Sequence, residues 1–299
     1  AASGPNVMDI DFDALIANET DSTLKDMHEY FRDRTPTEKN QYTGMFQGKN
    51  LLLFTGEAFW IGAVNEQYTP TLYKLAHSGF VFENFYNPLW YYSTVDGEYA
   101  ATTGLIPTNQ VNASQRYAGK NGVSMYFSMG NQLRALGYPT LAYHNNTANY
   151  YDRNLSHPNL GYDFYACDTG LDVAMTWPQS DLEMMQLTLP QALAGEKPFH
   201  NYYMTVSGHM NYSFAGNAMS AKHRDEVADL DMSEAARAYL ACNMELDQAL
   251  EYTIKTLEEA GELENTVIVL SGDHYPYGLD GTGAIDELAG EGTEADPFE

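Results

Sequence analysis

An α/β fold with a doubly wound, mostly parallel sheet flanked by helices is predicted by three features of this 299-residue chain. Residues 50–56 and 266–272 are short apolar runs closed by Gly, the pattern of central parallel strands buried on both faces. Such runs alternate along the chain with helical periodicities. Both runs also deliver an acid at their carboxyl ends, Glu57 after the first and Asp273-His274 after the second. That is where open α/β sheets bind ligands.

Taken in order, residues 9–34 read as a polar N-terminal arm with some helix, broken by Arg34-Thr35-Pro36-Thr37. The core starts at strand 50–56. Thr69-Pro70 opens a helix, with Thr69 as N-cap and Pro70 at the first helical position, and Gly79 ends it. Residues 80–85 are expected to form the next strand. A helix runs from Thr94 to Gly104, and another covers 128–136 before Gly137. Strand 140–143 delivers His144, and the Asn-, Tyr- and Asp-rich stretch 145–169 is expected to be an irregular loop over the site. Strand 202–206 delivers Ser207-Gly208-His209, with a loop at 211–229. The clearest helix spans 231–260, with Leu246, Leu250, Ile254 and Leu257 on its buried face. Residues 278–299 are rich in Gly and acid and are expected to be loop or disordered.

The formal net charge of −26, from 41 acidic and 15 basic residues, argues against nucleic-acid binding and a polybasic membrane anchor. An anionic substrate stays allowed, because a bound cation inverts the local field. No run approaches the ~20 apolar residues of a membrane span, and no basic n-region with an apolar core appears at the N-terminus. Its start at Ala1 is that expected of an excised ectodomain. The 23 Tyr suit half-buried walls of a polar cleft. Cys167 and Cys242 either pair or stay as two small hydrophobes.

Glu57 alone reads equally well as a solvated loop residue. Asp273-His274 is a stronger signal. Adjacent carboxylate and imidazole at a strand end can ligate one cation, against the simpler reading of a helix-capping Asp beside a chance His. Between them Ser93-Thr94-Val95-Asp96-Gly97-Glu98 starts a helix. A hydroxyl there is most often a cap, yet the free N–H groups also receive a phosphate. A neighbouring cation lowers the alcohol's pKa towards that of a usable nucleophile. His144, Arg153 and His209 stand at strand ends or in the expected loop. With so few basic residues, Arg153 is a candidate partner for an anion. The set points to metal-assisted phosphoryl-type chemistry.

Three segments resemble the extracellular catalytic domain of lipoteichoic acid synthases, sulfatase-like members of the alkaline phosphatase superfamily. They are Asn50-Leu51 through Gly56-Glu57-Ala58-Phe59, Ser93-Thr94-Val95-Asp96-Gly97-Glu98-Tyr99, and Ser271-Gly272-Asp273-His274-Tyr275. Tyr143-His144-Asn145-Asn146, Tyr151-Asp152-Arg153-Asn154 and Ser207-Gly208-His209 fall in the same order. The resemblance implies a catalytic domain over 48–277, an arm from a membrane region over 1–47, and a truncated end over 278–299 with the C-terminal part of the fold missing. It implies that Glu57, Thr94, Asp273 and His274 bind a divalent cation, Mn2+ with Mg2+ or Zn2+ as alternatives. Thr94 would be the catalytic nucleophile, and His144, Tyr151, Arg153 and His209 would bind substrate. The implied activity moves glycerol phosphate from phosphatidylglycerol to a polyglycerolphosphate chain or glycolipid starter. Its implied place is the outer face of a Gram-positive cell membrane, anchored by N-terminal helices that this chain lacks.

Ala58 departs from the family, which often has Ser there. Formylglycine sulfatases carry Cys or Ser with Pro two residues on and Arg four on. Neither 93–98 nor the two Cys segments fit, which speaks against sulfate-ester hydrolysis. Because no motif marks the acceptor pocket, a phosphodiesterase- or phosphatase-type hydrolase and a non-catalytic binding ectodomain stay open at this stage.

Overall fold

The structure, a computed structural model, describes residues 3–82, 84–85, 94–123 and 125–290. Two compact units span Ala1–Gly48 and Lys49–Glu299. The first holds helices α1 (Phe12–Asn18) and α2 (Ser22–Arg32), each opened by an Asp side chain. Asp11 accepts from the Ala14 N–H, and Asp21 from those of Thr23 and Leu24.

The second unit carries a five-stranded sheet in the order β3-β2-β4-β1-β5, every neighbouring pair parallel. The strands are β1 (Asn50–Gly56), β2 (Thr140–His144), β3 (Asp163–Ala166), β4 (His200–Met204) and β5 (Thr266–Gly272). Between β1 and β2 lie α3 (Pro70–Ser78), α4 (Thr94–Thr103), α5 (Val111–Asn121) and α6 (Met129–Ala135). Next come α7 (Arg153–Asn159) before β3, α8 (Asp181–Ala194) before β4, α9 (Ala218–Lys222) and α10 (Glu234–Glu259) before β5, and α11 (Ala284–Ala289) after it.

Strand side chains alternate between two cores. Leu52 and Phe54 join Met184, Met185 and Leu189 of α8 and Leu246, Leu250 and Leu257 of α10. Leu53, Ala142, Tyr202 and Met204 turn the other way, onto Leu160 and Tyr162. On the first face the register builds an aromatic ladder. Phe54 lies opposite Tyr203, Tyr203 opposite Tyr143, and Tyr143 opposite Tyr165, with ring centroids 5.0, 5.3 and 5.7 Å apart. Tyr143, Tyr202 and Tyr203 are therefore core residues and not cleft walls.

Several stretches depart from the sequence-based expectation. Residues 80–82 and 84–85 lie in no strand. Phe80, Val81, Phe82 and Phe85 are exposed, so local β propensity found no sheet edge to join. The presumed loop 145–169 contains α7 and β3. The four residues of β3 are too few to announce a strand, and they form one because β2 offers its edge. Strand β4 starts two residues early, at His200, and α9 interrupts the loop expected over 211–229. Helices α5 and α8 were not expected at all. Within 278–290 lies α11, whose Ala284 is buried in a cluster with Tyr239 and Leu279. Thr69 precedes α3 as expected, but its hydroxyl turns back to the Ala63 carbonyl at 2.6 Å. The cap comes instead from Asp247 of α10, which accepts from the Leu72 N–H at 2.7 Å. Both cysteines are free. Ser93 and residues 291–299 lie outside the described residues.

Candidate metal centre

Parallel pairing of β1 with β5 runs in register to its last pair, Thr55 with Ser271 and Gly56 with Gly272. The next residue of each strand is the acid, so Glu57 and Asp273 leave the sheet side by side. The Asp273 N–H still donates to the Gly56 carbonyl at 3.2 Å. The chain then turns sharply at Ala58, which holds φ 50° without being Gly. That left-handed turn is pinned from two sides. Its N–H donates to Asp273 Oδ1 at 2.7 Å, and its carbonyl accepts from the Tyr239 hydroxyl at 2.8 Å.

Helix α4 brings the hydroxyl. Gly97 permits its approach, because a Cβ there would stand 2.3 Å from the Asp273 carbonyl oxygen. One turn earlier, Thr94 Oγ1 lies 3.4 Å from His274 Nε2. Around the same Nε2 are Glu57 Oε1 at 3.4 Å and Asp273 Oδ2 at 3.3 Å. All four residues are buried.

Hydrogen bonding leaves the inward-facing atoms to a cation. His274 Nδ1 lies 2.8 Å from the Tyr275 carbonyl, which can only accept, so Nδ1 carries the proton and the neutral ring offers a bare Nε2. Asp273 Oδ1 is taken by the N–H groups of Ala58 and His274, while the buried Oδ2 accepts no hydrogen bond. Two carboxylates and an imidazole whose ligand atoms lie within 4.8 Å of one another form a candidate metal-binding triad, and Thr94 adds an alcohol. Without a cation, protons are drawn in. Burial, and then the Glu57 carboxylate, push the Asp273 acid up to about 8. Burial works against charge on His274, but Asp273 and Glu57 outweigh it and raise the imidazole to about 9. Burial also acts to raise Glu57, yet His274, helped by His209 and Arg153, holds it below its ordinary range. Oxygen donors with one imidazole suit Mn2+ or Mg2+, and Zn2+ also accepts such a set.

The remaining sequence candidates lie on the neighbouring strand ends and loops. His144 ends β2, buried, with Nδ1–H donating to the Met204 carbonyl at 3.0 Å. Burial, and then the charge of Arg153, push its pKa down to about 3, so it is a neutral acceptor at Nε2. Arg153 opens α7 and is 1% exposed. Its guanidinium lies 5.4 Å from the centre of the Tyr151 ring. Tyr151 and Asp152 both hold φ 55°, and Arg116 pins this turn by donating from Nε to Asp152 at 2.6 Å. His209 follows β4, its ring edge-on to Trp177 at 4.9 Å. A small cleft beside the centre is lined by Glu57, His274, Met210, Tyr212, Tyr277 and Gly278.

The motif at 93–98 ends in Glu98, to which sequence reasoning gives no role. It lies one turn after Thr94 on α4, and Arg153 Nε and Nη2 both donate to its Oε2, at 2.9 and 2.7 Å. Its Oε1 accepts from the Tyr202 hydroxyl at 3.2 Å and faces His157 Nε2 at 3.4 Å. Burial alone would raise this acid, but Arg153 and His157 hold it far below the ordinary carboxylate range. The one available signal was the i, i+4 spacing from Thr94.

The sulfatase family pattern matches residues 49–297. The chain is 23% identical over 265 residues to the lipoteichoic acid synthase-like protein YvgJ of Bacillus subtilis, covering 86% of this chain and 41% of that protein. It is 25% identical over 289 residues to a lipoteichoic acid synthase of Staphylococcus saprophyticus, covering 92% and 43%. The chain thus spans about two fifths of the length of these curated relatives. Among solved structures, the lipoteichoic acid synthase LtaP of Listeria monocytogenes matches with a TM-score of 0.65 at 23% identity, over 79% of this chain and 58% of that one. The fold is accordingly sulfatase- and alkaline-phosphatase-like. Among the described residues, no helix is long and apolar enough to cross a membrane.

Proposed function

The chain belongs to the sulfatase family of the alkaline phosphatase superfamily, and on that premise we propose that it is a metal-dependent phosphoglycerol transferase. In this reading it moves glycerol phosphate from phosphatidylglycerol to a polyglycerolphosphate or glycolipid acceptor at the outer face of a cell membrane. The observation that carries the reading is the Thr94 hydroxyl, 3.4 Å from His274 Nε2 in the group that includes Glu57 and Asp273. Its other support is the likeness to proteins named lipoteichoic acid synthase.

Thr94 Oγ1 attacks the phosphorus, and the bond to the diacylglycerol oxygen breaks. The glycerophosphoryl group is then held on Thr94 until an acceptor hydroxyl attacks and restores the alcohol. A divalent ion held by Glu57, Asp273, His274 and Thr94, manganese in this reading with magnesium or zinc as alternatives, would supply positive charge favouring the ionised alcohol and offsetting the phosphoryl oxygens. The N-terminal end of α4, where Thr94 sits, favours the same charge. Arg153 adds its positive charge from its place beside Glu98, with Nη1 donating to the Tyr150 carbonyl at 3.4 Å. His144, neutral and accepting at Nε2, suits a glycerol hydroxyl better than an anionic oxygen. His209 and Tyr151 complete the substrate wall.

Thr94→Ala tests the reading directly. Release of diacylglycerol from phosphatidylglycerol vesicles is expected to fall at least about a thousandfold, with loss of the glycerophosphoryl adduct detected by mass spectrometry on a Thr94 peptide. Undiminished release would overturn it. Glycerol phosphate appearing in water with no acceptor product would favour a hydrolase.

A further inference from the structure

Asp181 opens α8, yet that helix does not need its carboxylate, because the Ser180 hydroxyl already caps it at the Glu183 N–H. The side chain is 1% exposed and holds two other segments. Its Oδ1 accepts from Asn145 Nδ2 at 2.9 Å, directly after His144, and from the Val206 N–H at 2.9 Å, just beyond β4. Its Oδ2 accepts from the Ser207 N–H at 3.3 Å and from the Ser207 hydroxyl. Strands β2 and β4 are neighbours, but their ladder ends at His144 opposite Met204. Beyond that pair the backbone no longer aligns the two exits, and one carboxylate does.

We propose that Asp181 is a positioning residue, setting the placement of the β2 and β4 exit loops and hence of His144 and His209 across the metal centre. The consequence for turnover rests on the transferase reading, whereas the loop geometry does not. The β4 exit is held again by Asn217, whose Nδ2 donates to the Ser207 and His209 carbonyls at 3.2 and 2.8 Å. It also abuts a metal-ligand candidate, since a Cβ on Gly208 would stand 2.3 Å from the Glu57 carbonyl oxygen. A shift at Asp181 therefore reaches both histidines and the backbone of Glu57.

The electrostatics agree. Burial, first, pushes the Asp181 acid up to about 6, against hydrogen bonds from Ser207, Val206 and Asn145, with Glu245 of α10 adding to the rise. Cys242 of α10 also faces it. A raised acid means that the folded state favours the proton, so this group's stability contribution is lost as pH rises through about 6.

The test uses the whole chain loaded with magnesium and labelled with 13C-histidine. In Asp181→Asn, one acceptor becomes an NH2 facing backbone N–H donors. The His144 and His209 resonances are expected to shift, while His200, held on the Leu51 carbonyl and Tyr162, does not. On phosphatidylglycerol vesicles kcat is expected to fall about 10- to 100-fold, with KM changing less. Asn145→Ala and Ser207→Ala cut one arm each and are expected to move His144 and His209 respectively. They keep the test open if Asp181→Asn does not fold. Unmoved histidines in the folded variants, or moved histidines with undiminished kcat, overturn the proposal. Moved histidines in a chain whose wild type has no transferase activity support the positioning role and count against the functional reading.

Discussion

The two halves of this site are built on opposite electrostatic terms. At the ends of β1 and β5, Glu57, Asp273 and His274 converge with more negative charge than the protein neutralises, and Asp273 Oδ2 accepts no hydrogen bond. Around α7, Arg153 is already matched inside the protein by Glu98, which Tyr202 and His157 support in turn. On the proposed reading the first half takes a cation, while Arg153 in the second already has a counter-charge within the protein. Occupancy of the metal centre should therefore be coupled to stability, whereas the arginine half should act as a rigid wall whose cost was met on folding. Helix α4 joins them, with Thr94 at its start facing one half and Glu98 a turn later anchoring the other.

Removing the anchor should produce the largest change in stability. Glu98→Ala leaves the Arg153 guanidinium buried without its partner, and urea titration is expected to show a loss of about 3–5 kcal/mol. An unchanged midpoint would mean that the arginine half is not closed in the way described.

A smaller effect, of opposite character, is expected at the strand ends. Manganese at a hundredfold excess over its Kd should stabilise the chain by about 2.7 kcal/mol. Elemental analysis should find one bound ion per chain in the wild type and none in Glu57→Ala. Equal stabilisation of that variant would move the ion elsewhere.

The smallest effect is a pH dependence that separates the buried acids. Glu98 has its pKa depressed on folding, so its contribution is present above its unfolded value of 4.5 and lost as pH falls through the folded one. The difference in urea midpoint between wild type and Glu98→Gln should hold from pH 7 to 5 and shrink at pH 3. For Asp181, raised to about 6, the sign is reversed, and its contribution is lost as pH rises. A Glu98→Gln difference that grew on acidification would contradict the assigned pairing.

How much could be read from residues alone varied with the range of the interaction. Strands β1 and β5 were legible as strands because continuous apolar runs closed by Gly-Glu and Gly-Asp are local patterns, and α10 because its buried face repeats over many turns. Burial was not, since β5 lies at the edge of the five-stranded sheet with Val269 exposed, and of the two only β1 is central and buried. The strand assigned to 80–85 had the same local appearance, but its described residues lie in no strand. Strand β3 had the reverse history, with a weak pattern rescued by the edge of β2. Asp181 and Glu98 carried no local signal of their pairing, since their partners are distant in sequence.

The sequence by itself determined which residues can ligate, attack or carry charge, and that two Gly-acid steps and a helix-starting hydroxyl exist to be brought together. Only the tertiary structure decided that Gly56 pairs with Gly272, which sets Glu57 beside Asp273, and that Gly97 lets α4 close on them. It alone decided that Arg153 is paired within the protein and that His144 is held neutral. Side-chain chemistry is a property of the residue, but register, burial and pairing depend on what distant segments place around it, and these set the charge each group carries.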